Sequence, residues 1–71
     1  MRNVKIFSTD IENRTQVIYI SAAICSLFPH SIVTVDLEDC DKVLRVEGNI
    51  PTNECIINLL SKIGVRIEVL K

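Results

Sequence analysis

Three cysteines, Cys25, Cys40 and Cys55, are the most reactive side chains in the sequence. They lie fifteen residues apart, and no two of them form a C-x-x-C pair. An odd number of dispersed cysteines argues against a disulfide framework, and structural zinc or redox motifs use cysteines at short spacing. We therefore expect three reduced thiols.

Carboxylates flank Cys40 on both sides. Because thiolates and carboxylates both bind zinc, Asp39, Cys40 and Asp41 are candidate ligands for a mixed site, joined by Asp10 or Glu12 if the fold brings them near. A closed zinc site usually has several Cys or His ligands, which this segment lacks. The alternative is a solvated acidic turn with one exposed thiol.

The remaining candidates for catalysis lack partners in the sequence. Cys25 follows an apolar helix position, so we expect it to pack as a small hydrophobic residue. Cys55 falls in the first turn of a predicted helix with no base or second cysteine nearby, and His30 falls in a predicted surface loop. No Ser-His-Asp set or carboxylate pair can be assembled, so the sequence predicts neither an enzyme nor a cofactor.

Composition and length fit a single small domain over residues 1–71. Eight basic and nine acidic side chains give a net charge of −1, so neither a nucleic acid nor a membrane surface is an expected partner. The longest apolar run, Val17 to Phe28, is about half of the roughly 20 residues that span a bilayer. No secretory leader opens the sequence, which predicts a cytoplasmic location and no membrane insertion.

Four segments alternate between apolar and polar residues and read as strands. They span residues 3–8, 31–37, 44–47 and 65–71. In the first strand either Val4 and Ile6 or Phe7 faces the interior. In the second, which reads as half-buried, Val33, Val35 and Leu37 share one face. A polar turn over residues 38–41 joins the second and third strands as a hairpin.

Two segments repeat apolar residues at helical spacing. Asn13 followed by Gln16 has the spacing of a capping box, so the first helix should begin at Asn13 and cover residues 14–28. In the second helix, Thr52 is a candidate N-cap and Gly64 a candidate left-handed C-cap.

The resulting order, βαββαβ, predicts an α+β ferredoxin-like sandwich, with two helices on one face of a four-stranded antiparallel sheet. In this architecture the first loop, the hairpin turn and the loop after the second helix lie at one end. The fold therefore offers a way to bring Cys40 near Asp10 and Glu12.

With this order of elements, the chain resembles the heavy-metal-associated (HMA) domain family of small copper-chaperone-like modules over essentially its whole length. Val35-Asp36-Leu37 is similar to the family's second strand, and Leu44 to Asn49, with its Val-Glu-Gly ending, to the third. Leu60 to Gly64 is similar to the close of its second helix. The order and spacing of these segments carry the resemblance.

The family's metal motif is missing from this sequence. Metal-binding members carry Met-x-Cys-x-x-Cys in the first loop, and the resemblance places Ile11 at the Met and Asn13 and Gln16 at the two cysteines. Monovalent copper prefers thiolates, and a neutral amide cannot be deprotonated to neutralise the ion. The resemblance without its ligands therefore implies that neither metal binding nor metal transfer is retained.

The first helix is apolar over more of its circumference than packing on one sheet requires. Ile18, Tyr19 and Ala22 widen its apolar stripe, and Tyr19 and Ala22 should point outward. We expect an interaction surface on this helix or along an exposed sheet edge, for another protein or for a homo-oligomer. The alternative is a copper or zinc carrier or sensor that uses nonstandard ligands such as Cys40, or ligands from a partner. RNA is not an expected ligand, because Phe7 is the only aromatic residue on a predicted strand.

Overall fold

The computed structural model describes residues 2–70 and confirms the predicted order βαββαβ. The six elements are β1 (Asn3–Thr9), α1 (Arg14–Leu27), β2 (Ile32–Val35), β3 (Leu44–Gly48), α2 (Asn53–Ile63) and β4 (Ile67–Val69). None of the helices within residues 2–70 has the length and apolar character that a membrane crossing requires.

The strands form one antiparallel sheet in the order β2-β3-β1-β4, with the two helices on one of its faces. This arrangement confirms the α+β ferredoxin-like prediction. β1 and β3 lie in the middle, and β2 and β4 form the two edges.

A core made almost entirely of aliphatic side chains fills the space between sheet and helices. Its fully or nearly fully buried members are Phe7, Ile11, Ile20, Ile24, Leu44, Val46, Ile50, Ile56, Leu60 and Val65. No polar or charged residue is buried in the part of the chain that the structure describes. Functional chemistry in residues 2–70 therefore has to be sought at the surface.

Phe7, rather than Val4 and Ile6, is the inward-facing residue of β1. Phe7 is fully buried and pairs with Leu44 of β3, whereas Val4 and Ile6 are 42% and 38% exposed. Directly paired residues in a sheet point to the same face, and neighbours along a strand point to opposite faces. Val4 and Ile6 consequently lie on the open face, away from the helices.

The edge strands are shorter than the alternation of apolar and polar residues predicts. The backbone amides just before them donate to carbonyls at the ends of the helices instead of to a neighbouring strand. The Ser31 amide donates to the Phe28 carbonyl, before β2 begins at Ile32. The Val65 amide donates to the Leu60 carbonyl at the end of α2, before β4 begins at Ile67. The predicted last strand ran to residue 71, which lies outside the described residues.

Both helices end as local sequence signals predict, with α1 one residue shorter than expected. α1 stops at Leu27, because Phe28 leaves helical geometry immediately before Pro29. Gly64 adopts φ 98° after α2, and its amide donates to the carbonyls of Leu60 and Ser61 at 3.1 Å. This left-handed conformation carries little strain for glycine.

Candidate functional site

The first loop ends in a reciprocal capping box, as its sequence predicts. The Gln16 amide donates to Asn13 Oδ1 at 2.9 Å, and Gln16 Oε1 accepts from the amides of Asn13 at 3.3 Å and Glu12 at 2.7 Å. The two side chains thus accept hydrogen bonds from backbone amides that have no acceptor within the first turn of α1. Ile11, at the position that the resemblance matches to Met, is fully buried in the core.

Three loops meet at this end of the sheet, also as predicted. The Asp10 amide donates to the Arg66 carbonyl at 3.3 Å, and the Arg66 amide donates to Asp10 Oδ1 at 3.0 Å. Thr9 bonds the hairpin turn twice, from its amide to the Asp41 carbonyl at 2.9 Å and from its hydroxyl to the Lys42 carbonyl at 2.6 Å. The first loop is therefore held between the other two.

Asp39, Cys40 and Asp41 come together in the hairpin turn. One potential ligand atom from each lies within 4.8 Å of the others. Asp39 Oδ1 also accepts from the Asp41 amide at 2.8 Å, a bond that shapes the turn itself. Neither Asp10 nor Glu12 joins this group. The geometry is compatible both with three ligands to a metal and with a solvated acidic turn.

Cys25 is exposed, so the expectation that it packs as a hydrophobic residue is wrong. Ile24 already occupies the inward position, and the next residue of a helix lies about 100° further round its axis. The Cys25 thiol donates to the Ser31 carbonyl at 3.6 Å, beside the start of β2.

Cys55 is half-buried, and its sulfur lies 3.4 Å from the Thr52 hydroxyl, a group that is not a general base at neutral pH.

His30 is an exposed residue of the connection between α1 and β2, as predicted. Its φ of 70° is an uncommon conformation for a residue other than glycine. Its backbone carbonyl accepts from Arg2 Nη1 at 3.4 Å.

Helix α1 exposes the apolar side chains that were expected at the surface. Ile18 is 71% exposed and Tyr19 is 65% exposed, and Ala22 is also exposed. Leu27 is exposed as well, so the prediction from its helical spacing that it belongs to the inward apolar stripe of α1 is wrong. Large apolar side chains are usually drawn into a core, so their concentration on one helix of a small domain requires explanation.

Ile18 and Tyr19 border different grooves. Tyr19 borders a groove of about 280 Å³ between α1 and the end of α2, lined by Thr15, Gln16, Tyr19, Ile20, Ile63, Gly64 and Val65. Ile18 borders a groove of about 330 Å³ between α1 and the end of β2, lined by Arg14, Val17, Ile18, Val35, Asp36, Leu37 and Glu38. The exposed side of α1 therefore faces α2 on one flank and the β2 edge on the other.

The open face of the sheet is a second apolar surface, and the sequence reading missed it. Val4, Ile6, Ile32 and Leu70 are exposed there. Ile32 and Val4 are both paired with Glu47, so all three side chains point to the same face. Leu70 directly follows β4, and its amide donates to the carbonyl of Ile6 on that face. The position of Phe7 opposite Leu44 is the signal that assigns β1 residues to this face.

Comparison of the chain with protein-family models, with curated proteins and with solved structures finds no match.

Proposed function

We propose that this chain is a small non-enzymatic HMA-like domain that has lost the usual soft-metal site and acts as a protein-interaction or self-association module. The observation that carries the proposal is the exposure of Ile18 and Tyr19 on α1. Covering large apolar side chains with a partner releases the water around them, at about 25 cal/mol per Å² of apolar surface removed from water.

The residues of the first loop support the proposal that metal transfer has been lost. Asn13 and Gln16 stand at the two cysteine positions of the family motif, and both are used to cap α1. Their amide oxygens are hard, neutral donors, which monovalent copper binds poorly. Without metal ligands in this loop, the domain acts by binding other protein molecules through its exposed side chains.

Reduced thiols favour a cytoplasmic location for this module. Cys25, Cys40 and Cys55 are all free. Free thiols persist where glutathione and thioredoxin keep them reduced, whereas exported proteins usually pair them.

The proposal is tested by capture of binding proteins on immobilised chain. Ile18→Lys and Tyr19→Lys should each lose a protein that the unchanged chain retains, because a charge replaces the apolar contact. Asn58→Lys is the matched control, since Asn58 is exposed on α2 and the charge change is the same. Equal retention by all four proteins would contradict a role for α1.

Metal titration tests the other half of the proposal. Isothermal titration of the reduced chain with cuprous and zinc ions should give no tight binding. Submicromolar one-to-one binding of either ion would refute the proposal.

The clustering of Asp39, Cys40 and Asp41 favours one second candidate, a copper or zinc carrier or sensor that takes further ligands from a partner or a second copy. Tetrahedral zinc requires a fourth ligand beyond these three. This candidate predicts that zinc raises the mass seen by light scattering, that Cys40→Ser abolishes the increase, and that Cys25→Ser preserves it. A mass that does not respond to zinc excludes a site shared between two copies, and zinc binding that survives Cys40→Ser excludes the turn as a site.

A further inference from the structure

β2 presents an unpaired backbone edge whose hydrogen-bonding pattern is defined by the hairpin. The Asp36 amide donates to the Val43 carbonyl, which makes these two residues a hydrogen-bonded pair. Such pairs alternate along an antiparallel ladder, so Thr34 and Ile32 bond to β3, while the N–H and C=O groups of Val33 and Val35 point away from it. Within residues 2–70 no further strand pairs with that side of β2.

The β2 edge lacks the devices that usually prevent pairing with another chain. Ile32-Val33-Thr34-Val35 contains no charge, no proline and no glycine, and all four residues favour strands. The opposite edge differs, because β4 has only three residues and Glu68 stands at its centre. A short, charged edge strand is protected, so β2 is the edge suited to pairing.

We propose that β2 pairs antiparallel with β2 of a second copy of this chain, about a two-fold axis through Thr34, to give a continuous eight-stranded sheet. This inference rests on the self-association alternative of the proposed function: the partner is a second copy of the chain and the surface is the β2 edge.

Backbone groups already in use select this register. With the axis at Thr34, the outward groups of Val33 bond to those of Val35 in the second copy, and the reverse, giving four hydrogen bonds. An axis at Val33 would require the groups of Ser31, whose amide donates to the Phe28 carbonyl and whose carbonyl accepts from Cys25. An axis at Val35 would require the Leu37 carbonyl, which accepts from Lys42 Nζ at 2.9 Å.

The same register keeps the two copies of Asp36 apart. Asp36, the one charged residue beside β2, falls opposite Ile32 of the second copy rather than opposite another Asp36. Thr34 meets Thr34 on the open face, and Val33 meets Val35 on the face that carries the helices. Like charges directly opposite each other destabilise a strand pair, and this register contains none over residues 32–36.

Helix α1 supplies apolar area that the strand alone lacks. A stable interface buries about 800 Å² per partner, roughly a sixth of the 4775 Å² surface of this chain. Ile18, Ala22 and Cys25 are exposed at i, i+4 and i+7 on α1 and form one row. Ile18 shares a groove with Val35, and Cys25 bonds Ser31, so this row borders β2. The two-fold axis brings the two α1 helices together along it.

Disulfide trapping tests the register directly. In a chain with Cys25, Cys40 and Cys55 replaced by serine, Thr34→Cys places two thiols on the axis, where Cα atoms of a non-hydrogen-bonded pair lie about 4.5 Å apart. That spacing falls within disulfide range. Ile32→Cys is the matched control on the same face, because its two copies would lie about 14 Å apart. Covalent dimer in a glutathione redox buffer is expected for Thr34→Cys alone; equal yields from both variants, or none from either, overturn the proposal.

Sedimentation equilibrium on lysine variants provides the second test. The unchanged chain should approach twice its 8.0 kDa mass as its concentration rises. Thr34→Lys puts like charges on the axis and should abolish dimerisation, whereas Ile32→Lys faces Asp36 of the second copy and should retain it. Far-UV circular dichroism verifies that both variants stay folded. Loss of the dimer in both variants, or in neither, contradicts the register.

Failure of this inference is distinguishable from failure of the proposed function. A chain that stays at 8.0 kDa up to its solubility limit refutes pairing through β2. If such a monomer still binds a different protein in a manner that Ile18→Lys abolishes, the interaction module stands without self-association.

Discussion

Replacing Asn13 with alanine isolates the contribution of the capping box. The substitution deletes the acceptor of the 2.9 Å bond from the Gln16 amide. N-cap substitutions of this kind cost about 0.5–2 kcal/mol, and we expect about 1 kcal/mol here, because the site is exposed and water replaces part of the lost bond. A domain of this size has a total stability on the order of 4–10 kcal/mol, so the loss is a measurable fraction.

The assay is urea unfolding followed by far-UV circular dichroism. Asn13→Ala should lower the unfolding midpoint without changing the dependence on urea, since the folded and unfolded surfaces stay nearly the same. In thermal unfolding the same loss should lower Tm by about 4–8 °C. Asn13→Asp, which keeps an acceptor oxygen, is the matched control and should stay close to the unchanged chain.

A double-mutant cycle with Gln16→Ala completes the test. Because the two side chains bond reciprocally, their combined loss should be smaller than the sum of the single losses. A loss below about 0.3 kcal/mol for Asn13→Ala, or an equal loss for Asn13→Asp, would refute the assignment of these residues to helix capping.

Three further perturbations test other parts of the structure. Gly64→Ala should cost about 1–2 kcal/mol in urea unfolding from backbone strain at φ 98°, since the added Cβ meets no atom within 4 Å; no loss would contradict the left-handed cap. Ile24→Ala should cost about 2–5 kcal/mol and Ile24→Val about 0.5–1.5 kcal/mol, because Ile24 is fully buried; equal costs would contradict its place in the core. Asn13→Cys with Gln16→Cys should gain one-to-one cuprous binding in a competition assay and lose stability in the metal-free state, as thiols replace the capping amides; a double variant that binds no copper would contradict the proposed equivalence of this loop to the metal loop of HMA domains.

Local signals in the sequence were sufficient for the helix boundaries. The capping pair Asn13 and Gln16, the stop at Pro29 and the C-cap at Gly64 each act within a few residues, so neighbours in sequence carry the information. The βαββαβ order followed from these boundaries and from the polar turn between β2 and β3.

Features that depend on pairing between distant segments were not predictable in the same way. Val4, Ile6 and Phe7 are all apolar, so composition left the inward face of β1 open until its register with Leu44 was known. Burial of Cys25 was predicted wrongly, because an apolar helix alone does not show which flank lies beside β2. The pairing pattern of the β2 edge required the hydrogen bond between Asp36 and Val43.

The central position of β1 has a consequence for aggregation. β1 precedes the other strands in the sequence, yet it pairs with β3 on one side and with β4 on the other. β4 is an edge strand of only three residues, so few backbone hydrogen bonds hold it against β1. Segments with few contacts open locally at low free energy. While β4 is detached, the β4 side of β1 is open to pairing with another chain, so the tendency to aggregate depends on how often the shortest strand leaves the sheet.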